Sequence, residues 1–378
     1  SRSWSDSSIW RKVLSIAPTT PIYGDPNSTA SRASIAGIAD DFKMPQIWKN
    51  TLAVDYRLPV SFPLTLTVEG MYNKDIYNVV MRNWNIVNNG NLSRFAGPDN
   101  RLDYSTSTTG NYLVDKNVTG GAVILDNDTR GYSASFNTMV TAEPIKDLNL
   151  MFSYTHQWAK EITGLPGNQA YSTWQGLYAV DGPNNAELHN AQYLTPDKLI
   201  ASLTYRKDYG KYFATSVGLY YAAYSSGMYN YYYSNDMNGD KNSFDLMYIP
   251  RTKDELKFVD KNGFTAAEQA EAFWRFVEQD KYLSAHKGEY AEAYGAALPW
   301  VHRFDLKVTQ DFRLRAGKAI HTLQLSFDIL NVGNLLKSSW GVTQTTSPSN
   351  YGKILRYEGK DANGVPTYSM GYNTVNKQ

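Results

Sequence analysis

Asp236, Asn238, Asp240 and Asn242 place an oxygen-bearing side chain at every second residue, and Asp245 follows shortly after. A hard cation such as Ca2+ gathers about six to eight oxygens, and a short acidic loop is the usual way to supply them. The three aspartates of this stretch carry a charge that Lys241 offsets only in part, so closing them into one turn sets like charges against each other unless a cation joins them. The pattern therefore predicts oxygens of Asp236, Asn238, Asp240 and Asp245 converging on one Ca2+, with Asn242 as a further candidate ligand. An EF-hand loop would carry Gly and Glu at the positions that Lys241 and Met247 occupy here. An Asx-rich turn that satisfies its own backbone is the competing reading.

Just before this loop, Tyr229, Tyr231, Tyr232 and Tyr233 form an aromatic cluster, and flat rings with polar tips suit sugar or peptide ligands. The same residues fit an ordinary interfacial belt. The histidines at 156, 189, 286, 302 and 321 show no metal-binding spacing, and no nucleophile elbow, phosphate loop or dinucleotide fingerprint occurs in a strand-to-helix context. With no acid–base or nucleophile constellation, the chain reads as a binding or transport protein rather than an enzyme.

The elements that position these groups are strands. Eight segments alternate with period 2 and arrive in pairs joined by short turns. The clearest pair sets Phe304, Leu306, Val308, Phe312 and Leu314 against Arg303, Asp305, Lys307, Asp311 and Arg313, then turns over 315–318. Its partner alternates Leu323, Leu325, Phe327 and Ile329 with Gln324, Ser326 and Asp328. Three pairs upstream turn at 59–62, 144–147 and 207–210, and the gaps between pairs are long: 81–128, 161–196, 226–300 and 333 onward. In an up-and-down sheet this order puts every tight turn at one rim and every long loop at the other, as in outer-membrane barrels. Tyr56, Tyr72, Trp158 and Tyr205 fall towards strand ends, where interfacial girdles belong. Thr265-Ala266-Ala267-Glu268 is a capping box with Phe273, Phe276 and Val277 behind it, so one short helix is expected in the longest loop. The predicted fold is all-β: an antiparallel up-and-down transmembrane β-barrel segment with long extracellular loops and one loop helix. A soluble sandwich is the alternative that alternation alone leaves open.

Composition narrows the partners. Across 378 residues, Lys+Arg number 37 and Asp+Glu 36, and a net charge of +1 offers no basic surface for nucleic acid. No apolar run approaches the roughly 20 residues of a membrane helix. Aromatics at 14%, with 29 Tyr, exclude a disordered chain, and zero Cys excludes disulfides and thiolate sites. The Asn-x-Ser/Thr triplets beginning at Asn27, Asn91, Asn117 and Asn127 are what Asn/Ser/Thr-rich loops produce by chance.

The residues Asp41-Phe42-Lys43-Met44-Pro45-Gln46-Ile47-Trp48-Lys49-Asn50, Val68-Glu69-Gly70-Met71-Tyr72-Asn73-Lys74, Trp300-Val301-His302-Arg303-Phe304-Asp305-Leu306 and Phe327-Asp328-Ile329-Leu330-Asn331-Val332-Gly333-Asn334 resemble the barrel of Oar-like TonB-dependent outer-membrane receptors. The resemblance implies a barrel of about 22 strands around a plug. It also implies a place in a Gram-negative outer membrane, lipid around the wall, an unidentified extracellular ligand, and coupling to the TonB complex through an N-terminal part. Residues 1–378 would then form a partial barrel domain. The plug, the N-terminal domain and the closing strand are expected to lie outside this sequence, which starts Ser1-Arg2-Ser3 and stops at Asn376-Lys377-Gln378. The runner-up is a secreted or surface β-module that binds glycan or protein through Tyr-rich loops.

Overall fold

The computed structural model describes residues 35–86, 92–106, 121–343 and 352–371. The triplets at Asn27, Asn91 and Asn117 and both chain termini lie wholly or partly outside these ranges.

All eight anticipated segments are strands: β1 (Gln46–Arg57), β2 (Leu64–Asn83), β3 (Tyr132–Ile145), β4 (Leu148–Glu161), β5 (Asp197–Tyr209), β6 (Phe213–Ser225), β7 (Trp300–Ala316) and β8 (Ala319–Ile329). Each pairs antiparallel with the next in chain order. Leu64 stands opposite Ala142, Leu148 opposite Tyr205 and Phe213 opposite Phe312, so the four tight turns lie side by side at one rim. The turns are tighter than the sequence suggested in three places, the first being 146–147 between Ile145 and Leu148. β5 continues to Tyr209 and reverses at Gly210 (φ 60°), and β7 continues to Ala316 and reverses at Gly317 (φ 64°). Both glycines supply the left-handed backbone that a short hairpin needs.

The register fixes the faces, because directly opposed residues in an antiparallel pair share a side. Val54 faces Val68, Leu66 faces Val140, Val140 faces Phe152, Leu150 faces Leu203, Leu203 faces Leu219, Leu219 faces Leu306 and Leu306 faces Ile329. One side of the wall is thus apolar from strand to strand. It is interrupted towards the turn rim by Thr215 and Gln310, which bond each other at 2.6 Å and share Tyr209. The other side carries Thr67, Asn137, Ser153, Arg206, Ser216, Thr309, Asp311 and Gln324, with Arg206 to Asp311 at 2.8 Å and Gln324 to Asp311 at 2.7 Å.

Large apolar residues on the apolar side are exposed, and the polar side of β1 and β8 is exposed as well. Leu219 is 38% exposed, Leu325 57% and Phe327 64%, while Thr309 and Asp311 on the polar side are 8% and 5% exposed. β1 and β8 are the lateral edges of the wall, and no strand among the described residues joins them, so the described chain forms an open wall and not a closed barrel. β2, 20 residues long, runs past the end of β1 and there pairs with Ala122–Asp128, which in turn pairs in parallel with Ile35–Ile38.

The long loops do not stand apart. Segments from three of them share one core, in which Phe95, Tyr233, Ile249, Phe273, Leu355 and Tyr368 are buried. Helix α2 (Ala266–Gln279) begins at the anticipated capping box, with Thr265 N–H donating to Glu268 at 2.8 Å. It is no mere decoration of a loop. Gln269, Phe273 and Val277 recur at helical spacing and point into the core. Two further helices, α1 (Ala170–Gln175) and α3 (Lys281–Ala285), were not anticipated, being short and without a periodic apolar stripe. Leu355–Lys360 and Pro366–Met370 form a hairpin beside Lys257–Phe258 and complete this cap.

Candidate functional site in the cap

The acidic loop folds on itself. Asp236 accepts from the N–H of Gly239 at 2.7 Å and of Lys241 at 2.8 Å, Asn238 from Asp240 at 2.9 Å, Asp240 from Asn242 at 2.7 Å, Asn242 from Phe244 at 3.1 Å and Asp245 from Met237 at 2.8 Å. Side-chain oxygens that would hold calcium serve backbone donors instead, which is the turn reading. Among the described residues no three His, Asp or Glu side chains gather as metal ligands. The expected convergence on calcium therefore gains no supporting group, and calcium does not enter the function proposed below.

Asn238, Asp240, Asn242 and Asp245 are nevertheless buried. Burial, with repulsion from Asp236, pushes the Asp240 carboxyl up to about 7. Asp245 is pushed well above the usual carboxylate range by burial and by Asp240, with Arg101 offsetting part of the rise. Alternating Asx residues announced the turn but gave no warning that other loops would bury it.

Arg101 is the residue that sequence reasoning missed. Wholly buried, it makes a forked contact to Asp99 through Nε (2.8 Å) and Nη2 (3.1 Å), donates from Nη2 to the Leu246 carbonyl at 2.6 Å, and lies 3.7 Å from Asp245 through Nη1. Its guanidinium sits 4.9 Å from the Tyr233 ring centre and 5.3 Å from that of Tyr290. Burial works against the charge, but Asp99, Tyr233 and Asp245 outweigh it and push the pKa up. Tyr368 Oη donates to Asp99 at 3.2 Å, so this one ion cluster ties three loops together.

The tyrosines expected to meet a ligand line the core instead. Tyr231, Tyr232 and Tyr233 are buried and Tyr229 is half-buried; Tyr231 donates to Asp280 at 2.7 Å and Tyr233 to Asp99 at 2.7 Å. Their rings fill volume between loops, and the Tyr233 and Tyr231 hydroxyls satisfy the buried Asp99 and the half-buried Asp280. Clustering in sequence signalled aromatic packing without saying which side would be covered.

Two recesses among the described loops carry polar or aromatic linings. A cavity of about 330 Å³ is lined by Arg94, Asp181, Glu187, His189 and Glu292, with Arg94 paired to Asp181 at 2.9 Å and Lys160 to Glu292. His189 is fixed between the carbonyls of Ile162 (3.0 Å) and Asn190 (2.8 Å). A wider cleft of about 700 Å³ lies between α1 and the aromatic residues Tyr178, Phe244 and Tyr294. No family model, curated protein or solved structure matches this chain.

Proposed function

We propose that the chain forms wall and outer cap of a Gram-negative outer-membrane β-barrel transport protein of the TonB-dependent receptor type, serving gated passage of an external ligand. The apolar face of the wall carries this reading: it crosses all eight strands and stays exposed at Val54, Leu219, Leu325 and Phe327, while Arg206, Asp311 and Gln324 bond one another on the opposite face. A sheet folded for water buries such a face. Lipid is the medium in which the exposed face costs nothing and the mixed-sign face lines a hydrated interior.

Three further features agree. All four tight turns share a rim while the loops fold together beyond the other end of the strands. From Phe304 to Leu314, β7 offers ~33 Å of strand, or ~25 Å of height at a tilt near 40°, enough for the apolar band of a barrel. Aromatic rings mark both margins: Tyr209 stacks on Phe213 at 5.9 Å near the turns, and Tyr72 meets Tyr132 at 6.5 Å and Trp158 meets His156 at 4.1 Å near the loops. Because open backbone edges are forbidden in lipid, the reading requires further strands to pair with β1 and β8.

Fractionation of a Gram-negative host expressing the chain with its native flanking sequence tests the proposal. The protein should sediment with the outer membrane and leave it only in detergent. A monodisperse, detergent-free protein in the soluble fraction would overturn the reading and favour the surface-module alternative.

A further inference from the structure

The cleft beside α1 differs from the rest of the cap in its chemistry. Its ten lining residues include no Asp, Glu, Lys, Arg or His. In their place stand three aromatic rings and the side-chain amides of Asn168, Gln175 and Gln192. Tyr178 meets Phe244 edge-on at 5.0 Å and Tyr294 at 5.6 Å, so the rings brace one another into a fixed wall. Gln175 is anchored by donating to the Lys241 carbonyl at 3.1 Å. The amides of Asn168 and Gln192 engage no other described residue and stay open to the cleft.

Tyr294 is held in place at a backbone cost. Its φ of 52° is a left-handed value that a bulky aromatic rarely adopts. Asn230 accepts from its N–H, and Asn190 donates to its carbonyl at 3.0 Å, so two asparagines from different segments fix the strained residue with its ring on the cleft. Tyr193, next to Gln192 in sequence, is 85% exposed.

We infer that this cleft binds a neutral carbohydrate chain. Rings offer faces to the C–H side of a pyranose, and amides offer paired donors and acceptors to its hydroxyls. An anionic ligand would find no cation among the lining residues, and the Glu161 carboxylate behind Gln192 is taken up by the Gln192 N–H at 2.9 Å. A purely apolar ligand would strip water from Asn168 and Gln192 without replacing their hydrogen bonds. The volume falls within the range of small-ligand sites. The inference names the ligand class of the outer cap proposed above and rests on that cap facing outward, yet its test needs no membrane.

The full protein in detergent would be titrated by calorimetry with neutral hexasaccharides of α1,4-glucose, β1,4-glucose, β1,4-xylose and β1,4-mannose, with hexagalacturonate as the anionic control and a proline-rich decapeptide as the peptide control. At least one neutral sugar should bind with a Kd of roughly 10⁻⁵ to 10⁻³ M. Tyr294→Ala should abolish binding, Gln192→Glu should weaken it by about tenfold, and Tyr193→Ala, at an exposed site that leaves folding intact, should weaken it measurably. No heat from any neutral sugar up to 20 mM (about 20 times the weakest expected Kd), equal binding by all three variants, or binding of the uronate or peptide alone would overturn the inference. None of these results would bear on whether the wall sits in lipid.

Discussion

Arg101 shows how one buried ion can decide the state of a whole cap. Its charge is compensated by Asp99 and Asp245 and flanked by two rings, and removing it would leave both carboxylates without a cation in a dry interior. Arg101→Met is expected to cost ~3–5 kcal/mol of cap stability, seen as an early thermal transition that the wall does not share. Asp240 tests the opposite sign. With its carboxyl pushed up to about 7, the folded cap keeps a proton there that the unfolded chain releases near its ordinary value, so this group makes stability fall as pH rises from about 4 to about 7. Asp240→Asn should therefore melt higher than wild type at pH 8, with the gap closing towards pH 4. Melting curves that run parallel across this range would show that Asp240 carries no such burden.

At the scale of an element, β8 separates the lipid reading from a sheet packed for water. Phe327 stands opposite Val308 on the apolar face, and Gln324 stands opposite Asp311 on the polar face. Phe327→Arg should cost ~2–4 kcal/mol in a membrane-folded protein, the penalty for a cation against the bilayer interior. Gln324→Arg meets the Asp311 carboxylate and should fold like wild type. Urea titration in lipid vesicles measures both. Equal stability of the two variants would mean that neither face meets hydrocarbon.

For the whole molecule, the wall and the cap should respond to different quenchers. Trp48, Trp158 and Trp300 project from the wall with half or nearly half of their surface exposed, whereas Trp174 in α1 is 2% exposed. In vesicles of brominated phospholipid, single-tryptophan variants retaining Trp48, Trp158 or Trp300 should lose emission, and the variant retaining Trp174 should keep it. Quenching of all four alike, or of none, would contradict a wall in lipid with its cap in water.

The sequence by itself determined the wall, because strand alternation is local: Phe304 to Leu314 and Leu323 to Ile329 state their faces with no reference to the rest of the chain, and Gly210 and Gly317 state their turns. It determined the start of α2 for the same reason, since Thr265 and Glu268 are three residues apart. The cap obeys no such local rule. Arg101 reaches Leu246 across 145 residues and Tyr368 reaches Asp99 across 269. Whether Tyr231 to Tyr233 faced a ligand or a core, and whether the Asp236 loop stayed in water, depended on which other loops closed over them. Tertiary structure alone brought Tyr178, Phe244 and Tyr294 to one cleft, because contacts between rings more than 40 residues apart in the chain leave no periodic trace in sequence.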